Sequence, residues 1–465
     1  MPENSSVKKK GFRFPSTPTL LIGVILFAAF LSYAIPAGQF ERAVDEATKR
    51  TLVVPGTYAV IESNPVGFMF LTSSIYRGIV SAAQLIAFVF VCGGTFGIIT
   101  KTGAITAGLN NLIGKFKGRE NLLIFVIMAA FAIGGMSYGM AEEAIPFIAI
   151  LVPVAIKMGF DPIVGVAMVI VAIYSGYSPG PLNPFNTGIA QDIAHLPIFS
   201  GFGLRLFLAV GALLIAFQHV VSYGKKYRRS GRSEDLSLWQ TDGTDERAMN
   251  GHDVVVLLML ALSLAVLVYG VMAHDWYLTE MSAVFTTCGF AVGLYYFKGS
   301  IERTMTEFLA GAKALAGTAL LVSLSRAILV IMQEGKIMDT LVYWISIPLS
   351  SMHPVFAAWG MYISQGFINF FIPSSSGQAV AVMPIMSAVA DLIGVTRQTA
   401  VLAFQCGDGF WNMITPTHAT TMACIGIAGI SFDRWFRFAL SLVLKWSILV
   451  LAVLAYAVFT GYGPF

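Results

Sequence analysis

Gly134-Gly135-Met136-Ser137-Tyr138-Gly139-Met140-Ala141-Glu142-Glu143-Ala144-Ile145-Pro146 lies between two apolar runs, residues 121–133 and 147–154. Two adjacent carboxylates and three glycines sit where hydropathy calls for membrane. An ionisable group in hydrocarbon costs on the order of 3 kcal/mol and is kept where it faces a cavity, a partner or an ion. The stretch therefore reads as the tip of a re-entrant hairpin whose two arms enter and leave on one side of the bilayer.

Composition agrees. The 465-residue chain is 56% hydrophobic and 12% charged, with mean hydropathy +0.75, whereas a soluble domain carries roughly 25% charge. Apolar runs of about 20 residues, the length that crosses a bilayer, recur from end to end. They are continuous rather than alternating, which excludes a β-barrel. The fold class is an all-α polytopic membrane protein. The four cysteines, Cys92, Cys288, Cys406 and Cys424, all lie in apolar segments without a CxxC spacing and read as small core residues. Lys8-Lys9-Lys10 before the first apolar run reads as the cytoplasmic flank of an uncleaved first helix.

In chain order, the expected elements are a helix over 20–37, a polar loop over 39–64, an amphipathic lead-in at 68–77 and a helix over 83–100. A cytoplasmic basic stretch at 101–119 follows, then the hairpin over 121–158. A helix over 163–174 breaks at Ser175-Gly176-Tyr177-Ser178-Pro179-Gly180-Pro181-Leu182-Asn183-Pro184 and resumes near 185–193. Three prolines and two glycines in ten residues cannot be continuous helix. Irregular backbone at membrane depth is tolerated only where it is buried in protein or lines a cavity. A helix over 202–223 ends in Lys225-Lys226-Tyr227-Arg228-Arg229. The second part runs 254–272, 281–296 and 314–331. A helix over 351–371 leads to a tip at 373–378, and 379–393 returns. Residues 396–404 lead into a second break at 406–417, 419–430 complete that crossing, and 438–459 form the last span.

Landmarks recur at one spacing. Gly103 pairs with Gly335, Glu142 with Ser374 and Pro184 with Pro416, each 232 residues apart, and Gly176 pairs with Gly407 at 231. The expected division is a first repeat over 1–224 including a cytoplasmic tail, a cytoplasmic linker over 225–252, a connecting transmembrane helix over 253–273, and a second repeat over 274–465. The single connecting helix inverts the second repeat. The expected total is nine crossings plus two hairpins, with the N-terminus inside and the C-terminus outside. Inverted repeats with polar hairpins and broken helices point to a secondary transporter with its site at the midplane.

Residues 139–147, the Asn-Pro-Phe-Asn-Thr break at 183–187 and the Thr-Pro-Thr-His break at 415–418 resemble the YfcC-type branch of the C4-dicarboxylate anaerobic carrier and arginine/ornithine antiporter-like family, within the ion transporter superfamily. The resemblance spans essentially the whole chain. It implies hairpins and broken helices that cradle substrate and coupling ion, a homodimer with elevator-type movement, and a substrate that is a dicarboxylate or a basic amino acid. Well-known superfamily members carry Ser-Asn-Thr at both tips. Here the tips read Ala141-Glu142-Glu143-Ala144 and Pro373-Ser374-Ser375-Ser376, a departure from the sodium site of those members.

The candidate site follows from the polar residues at these tips and breaks. Glu142 and Glu143 offer a partner for an amino group, proton or cation. They point about 100° apart on a helix, so one of the two faces the cavity. The bland alternative is a pair of full-length arms with both glutamates in water. Ser374, Ser375, Ser376 and Gln378 supply hydroxyl and carbonyl ligands, or merely cap a helix. Asn183, Asn186, Thr187, Asn412, Thr415, Thr417 and His418 occupy the breaks, where freed carbonyls hold cations and helix N-termini hold carboxylates, or where they merely satisfy a packing kink. Asp408 is a further buried carboxylate. Arg326 is the one convincing buried cation; it binds a substrate carboxylate or pairs with Asp408. Lys445 is expected to snorkel and His219 to be inert.

No metal site is assigned. Asn186, Thr187, Ser375 and Thr417 are the ligands a coupling Na⁺ would take, H⁺ being the other coupling ion in view. No other cofactor and no nucleic acid is expected. There is no Walker A, HExxH or GxSxG motif, so the chain reads as a non-enzyme. The expected function is secondary transport across a bacterial cytoplasmic (inner) membrane, of basic amino acids by exchange or ion coupling, because two acids and one cation suit an amino acid better than a dicarboxylate. A C4-dicarboxylate carrier is the alternative. An intramembrane hydrolase pairing Ser374–Ser376 with His418 is a remote one.

Overall fold

The computed structural model describes residues 16–44, 51–105, 107–108, 111, 118–230, 249–274 and 276–463. Nearly all of them are helical. The first half contains α1 (Thr17–Ala34), α2 (Phe68–Ser81), α3 (Ala83–Thr102), α4 (Glu120–Ser137), α5 (Ile145–Lys157), α6 (Pro162–Tyr177), α7 (Ile189–Ile193) and α8 (Phe202–Ser230). The second contains α9 (Gly251–His274), α10 (Leu278–Tyr296), α11 (Ile301–Ala314), α12 (Ala316–Glu334), α13 (Met338–Leu349), α14 (Pro354–Phe371), α15 (Ser375–Ile393), α16 (Arg397–Trp411), α17 (Ala419–Ile427) and α18 (Phe432–Phe459). Seven of the described helices, α1, α3, α4, α8, α12, α15 and α18, are long and apolar enough to cross a membrane.

The expected polar loop over 39–64 is instead two small antiparallel ladders. β1 (Gly38–Gln39) pairs with β4 (Ala59–Val60), and β2 (Arg42–Val44) with β3 (Thr51–Val53). Asp339 at the start of α13 holds this segment, accepting from Arg42 Nη2 at 3.0 Å and from the Phe40 amide at 3.0 Å. Two helices were missing from the sequence reading, α11 and α13. α11 is amphipathic with charged residues along one face, so hydropathy passes over it. α8 runs to Ser230, beyond the expected repeat end at 224. Most of the expected linker, 231–248, lies outside the described residues.

The same packing unit occurs twice. In the first half, α4 and α5 flank α6, and α8 backs it. In the second, α14 and α15 flank α16, and α18 backs it. α6 and α16 are the innermost elements, with almost every residue buried. In each unit a glycine lets a hairpin arm touch the crossing helix. A Cβ at Gly135 or Gly176 would run into the backbone of the other's helix, at Ile173 and Ala132 respectively. In the second half, Gly366 sits against the Trp411 ring and Gly407 against the Tyr362 carbonyl. Gly135 to Gly366 and Gly176 to Gly407 are both 231 residues, so the repeat spacing read in the sequence is a spacing of close contacts.

The two halves also interlock. α7, past the first break, packs on α15 of the second hairpin, while α17, past the second break, packs on α5 of the first. The kinked pair α2–α3 lies along the kinked pair α11–α12 with α2 on α12 and α3 on α11, so these corresponding elements run antiparallel. Gly78 meets Ser323 and Ala327 there, and Gly93 and Gly97 meet Gly311.

Candidate functional site

The first break is a helix stop and restart. α6 contains a π-helical turn at Ala167–Val171 and ends at Tyr177. Pro179, Pro181 and Pro184 then remove three backbone donors, and Gly180 takes φ +40°. The chain restarts as a π-turn, Pro184–Gly188, leading into α7. Asn183 caps that restart, its Oδ1 accepting from the amides of Phe185 at 3.0 Å and Asn186 at 3.2 Å. The second break is shorter than the sequence suggested. α16 continues through Trp411, so Cys406 to Trp411, Asp408 included, are helical; only residues 412–418 are irregular. Here His418 is the cap. Its Nδ1 accepts from the Thr421 amide at 3.3 Å, which puts the proton of the neutral ring on Nε2, 3.0 Å from the Tyr174 hydroxyl.

The two tips differ. The first is a loop from Tyr138 through Ala141, with Gly139 at φ +74°, followed by a 3₁₀ turn over Glu142–Ala144. Glu143 is buried and folds back on its own tip, accepting from the Ala141 amide at 2.8 Å. Glu142 is half-buried and turns outward, toward Thr420 Oγ1 at 3.4 Å on α17. The second tip is only Ile372–Ser374. Ser375, Ser376 and Gln378 belong to the first turn of α15 rather than to a loop. Ser375 accepts from the Tyr177 hydroxyl at 2.9 Å and donates to Asp408 Oδ2. Gln378 is buried and ties the two arms together through Gln365, at 2.8 Å to its Oε1. Ser376 is exposed and Ser374 half-buried. A cavity of about 370 Å³ opens beside this tip, lined by Ile372 and Gly377 with Arg42, Lys336 and Asp339.

Asp408 is the hub. It is fully buried, and its Oδ2 takes both Ser375 and Asn186 Nδ2, the latter at 3.1 Å. The four residues expected to share a Na⁺ do not converge. Asn186 and Ser375 meet at Asp408. Thr187 instead donates to the Gly180 carbonyl at 2.7 Å, and Thr417 to the Phe370 carbonyl at 2.8 Å. Asn412 accepts from Asn369 at 2.9 Å, and Thr415 closes the end of α16 on the Trp411 carbonyl at 2.8 Å.

Arg326 stands on α12, half-buried. Among the described residues it makes no hydrogen bond or ion pair, and its Nε is buried without a partner. It is not paired with Asp408. Its charge acts on Glu142 and His418, and Tyr277, at the start of α10, lies in the same electrostatic neighbourhood. Lys445 does not simply snorkel, since its Nζ reaches His219 Nδ1 at 3.1 Å. His418 is bonded to Tyr174 and Thr421 and Ser375 to Tyr177 and Asp408, so the serine–histidine pair of a hydrolase is not assembled.

Sequence reasoning missed a second buried cation. Arg205, in the first turn of α8, is fully buried. It donates to Gln405 Oε1, to Gln398 Oε1 at 3.0 Å and to the Ser200 carbonyl at 3.3 Å. Gln405 in turn donates to the carbonyls of Ser178 at 3.0 Å and of Pro179, and its Oε1 lies 3.1 Å from Thr187 Oγ1. Arg205 thus orients the amide that clamps the first break. The signal was the pair of glutamines in α16, Gln398 and Gln405, seven residues apart and so on one face of the helix. Tyr174, Tyr177, Asn369 and Thr420 were also passed over, since aromatics and single polar residues in apolar runs read as packing.

The chain matches the C4-dicarboxylate anaerobic carrier family over residues 14–459. It belongs to that family. A protein of Escherichia coli (strain K12) named "Putative basic amino acid antiporter YfcC" is 30% identical over 96% of this chain and 97% of its own. An uncharacterized protein of Haemophilus influenzae is 28% identical over 95% and 96%. Among solved structures, the Alcanivorax borkumensis YdaH transporter is 17% identical with a TM-score of 0.42, over 97% of this chain and 100% of that one. Neisseria gonorrhoeae MtrF, described as an antimetabolite efflux pump, is 18% identical with a TM-score of 0.41, over 98% of each. Family membership makes the protein a multi-span membrane transporter.

Proposed function

We propose that this transporter carries amino acids, basic ones foremost, across the bacterial inner membrane by exchange or ion-coupled uptake. The proposal includes a homodimer of two-repeat protomers, inverted within each protomer, with the N-terminus inside and the C-terminus outside. The observation that carries the substrate is the pair Glu142 and Arg326. Each is half-buried, the Arg326 charge acts on Glu142, and no ion pair joins them. A carboxylate and a guanidinium held apart but in electrostatic reach fit the two ends of an amino acid, amino group to Glu142 and carboxylate to Arg326, with bidentate geometry available at the latter. Thr420, Tyr277 and the capped start of α17 complete the surround. The name of the Escherichia coli relative supports the same class.

A dicarboxylate would need two available cations. Arg205 is a second cation inside the protein, but its fork is spent on Gln398, Gln405 and Ser200. Substrate would be occluded by the two tips and released by moving the hairpin units against α2–α3 and α11–α12, the antiparallel pair that holds no site residue except Arg326.

The test is radiolabelled uptake and counterflow in proteoliposomes. Arginine, ornithine or lysine transport is expected. Glu142→Gln should lower its kcat/KM about tenfold or more, the worth of a charge-assisted hydrogen bond of about 1.5–3 kcal/mol. Dicarboxylate uptake with no transport of any basic amino acid would overturn the substrate class.

A further inference from the structure

The cavity of about 370 Å³ beside the second tip is walled by two parts of the chain. One wall is the end of α12, the start of α13 and the strap made by β1 and β2; it carries Gln333, Lys336, Asp339 and Arg42. The other is the second hairpin, at Ile372 of the tip and at Gly377 and Ala381 in the first turns of α15. The volume lies within the roughly 300–1,000 Å³ range of small-molecule sites. A second cavity, of about 650 Å³ against α15, holds the pair Asp391 and Arg397. That pair is closed on itself by three hydrogen bonds, at 3.0, 3.1 and 2.6 Å, and the strap side of that cavity is apolar, with Val44, Leu52 and Val53.

The first cavity differs because one charge is left over. Asp339 takes Arg42 Nη2 on both oxygens at 3.0 Å and the Phe40 amide on Oδ2 at 3.0 Å. The Lys336 side chain makes no hydrogen bond or ion pair among the described residues. Its backbone is nonetheless fixed. Lys336 sits at φ +50°, in the left-handed region that side chains seldom adopt. It is held there because its amide donates to the Gln333 carbonyl at 3.1 Å and its carbonyl accepts from the Gly38 amide at 3.1 Å. Gly38 leaves no room for a Cβ beside Tyr58 and Thr340, whose hydroxyls meet at 3.0 Å, and the Tyr58 ring stacks on Tyr343 at 4.0 Å. Strained backbone that its surroundings maintain clusters at ligand clamps.

These charges select a ligand class. The free ammonium of Lys336 attracts a carboxylate. Oδ1 of Asp339 carries a single donor, whereas each oxygen of an ionised carboxylate accepts about two, so it has room for an ammonium. A second carboxylate on the ligand would meet Asp339 and find no cation, since Arg42 is already bound there. A zwitterion fits both charges. We infer, resting on the amino-acid reading and the orientation proposed above, that this cavity is an outer binding site for the α-amino-acid head of the substrate, its carboxylate on Lys336 and its ammonium on Asp339. It is a different place from the Glu142–Arg326 neighbourhood at the first tip. An amino acid here lies against Gly377, in the same helix turn as Ser375, whose hydroxyl donates to Asp408. The ligand is thus held against the hairpin that must move to admit it.

The test compares the two faces of the membrane. Transport of radiolabelled arginine, ornithine and lysine is measured in right-side-out and inside-out vesicles from cells making the full-length protein. Lys336→Gln should raise KM about threefold or more in right-side-out vesicles and leave KM in inside-out vesicles at the wild-type value. Lys336→Glu should raise the outer KM further, and Lys336→Arg should restore it. All three replacements share the left-handed backbone cost of lysine, so the differences among them report charge and not folding. Asp339 is left intact because it holds the strap. An outer KM that Lys336→Gln does not move would overturn the site, as would an equal rise on both faces or a rise in inside-out vesicles alone. Failure here is distinguishable from failure of the amino-acid reading. Wild-type transport of a basic amino acid with no sided effect sinks the outer site and leaves Glu142 and Arg326 standing. A sided effect of Lys336→Gln beside normal transport by Glu142→Gln leaves the outer site standing and sinks the other. Wild-type vesicles that carry a dicarboxylate and no basic amino acid overturn both.

Discussion

The two hairpin tips occupy equivalent places in the repeat and do different chemistry. The first brings its own carboxylates, one folded back to stiffen a seven-residue tip and one offered across the gap to Thr420 of the other half. The second is three residues long, neutral, and borrows its negative charge from Asp408 through Ser375. Behind both, the scaffold is the same: glycine contacts between arm and crossing helix, a capped restart after each break, and a backing helix. The difference teaches that the repeat conserves geometry while charge is assigned to one side of the cradle at a time. Glu142 serves the gap, and Asp408 serves the seam between halves.

The sharpest way to break the comparison is to attack its shared part. Gly176→Val and Gly407→Val each push a side chain into backbone of the neighbouring arm. Backbone cannot yield as a side chain does, so both should cost about 3 kcal/mol or more. Loss of the monodisperse peak on size-exclusion chromatography is the readout. If one variant behaves like wild type, the two arm contacts are not equivalent.

Next in size is the contrast inside the first tip. Glu142→Gln should cut transport about tenfold, with little change in thermal midpoint. Glu143→Gln should do the reverse, losing about 1–2 kcal/mol of stability as its bond to the Ala141 amide weakens, while transport falls less than about threefold. Equal transport losses in both would mean that the tip shares its function between the two acids.

Smaller effects compare the caps. Asn183→Ala should cost about 1 kcal/mol and Asn183→Ser far less, since serine caps nearly as well. His418→Ala should cost more than Asn183→Ala because it also strands the Tyr174 hydroxyl. Denaturant titration of the purified protein separates these. The smallest change is Ser375→Ala, about 0.5–1.5 kcal/mol, as the Asp408 carboxylate loses one donor, read by the same titration.

Much of this was legible in the chain because membrane burial makes sequence loud. A carboxylate pair in an apolar run, or three prolines in ten residues, has few physical explanations at bilayer depth, so the first hairpin and the first break could be placed to within a few residues. The second break was drawn too wide: Gly407 and Gly409 look like helix breakers, yet they are helical glycines that admit Gln365 and Ser178. The strands over 38–60 and the helix α11 were invisible because neither carries an apolar run. The roles within the site were the least legible. Whether Glu142 or Glu143 turns outward depends on which one the Ala141 amide captures, a bond set by the tip's own turn. Arg205 is a first-turn arginine in sequence and a buried clamp in space, because Gln398 and Gln405 arrive from nearly 200 residues away.

By itself, then, the sequence determined that the chain lives in a membrane, that its landmarks recur 231–232 residues apart, and where its polar interruptions lie. Hydrocarbon forces each of these through local composition, with no need to know what packs on what. Only the tertiary structure decided that the two halves exchange elements, α7 onto the second hairpin and α17 onto the first, and that Asn186 and Ser375 meet on the Asp408 carboxylate. The α5–α17 pairing alone joins residues more than 260 positions apart. Such pairings depend on which helices lie adjacent, and adjacency is a property of the packed core that no window of the chain contains.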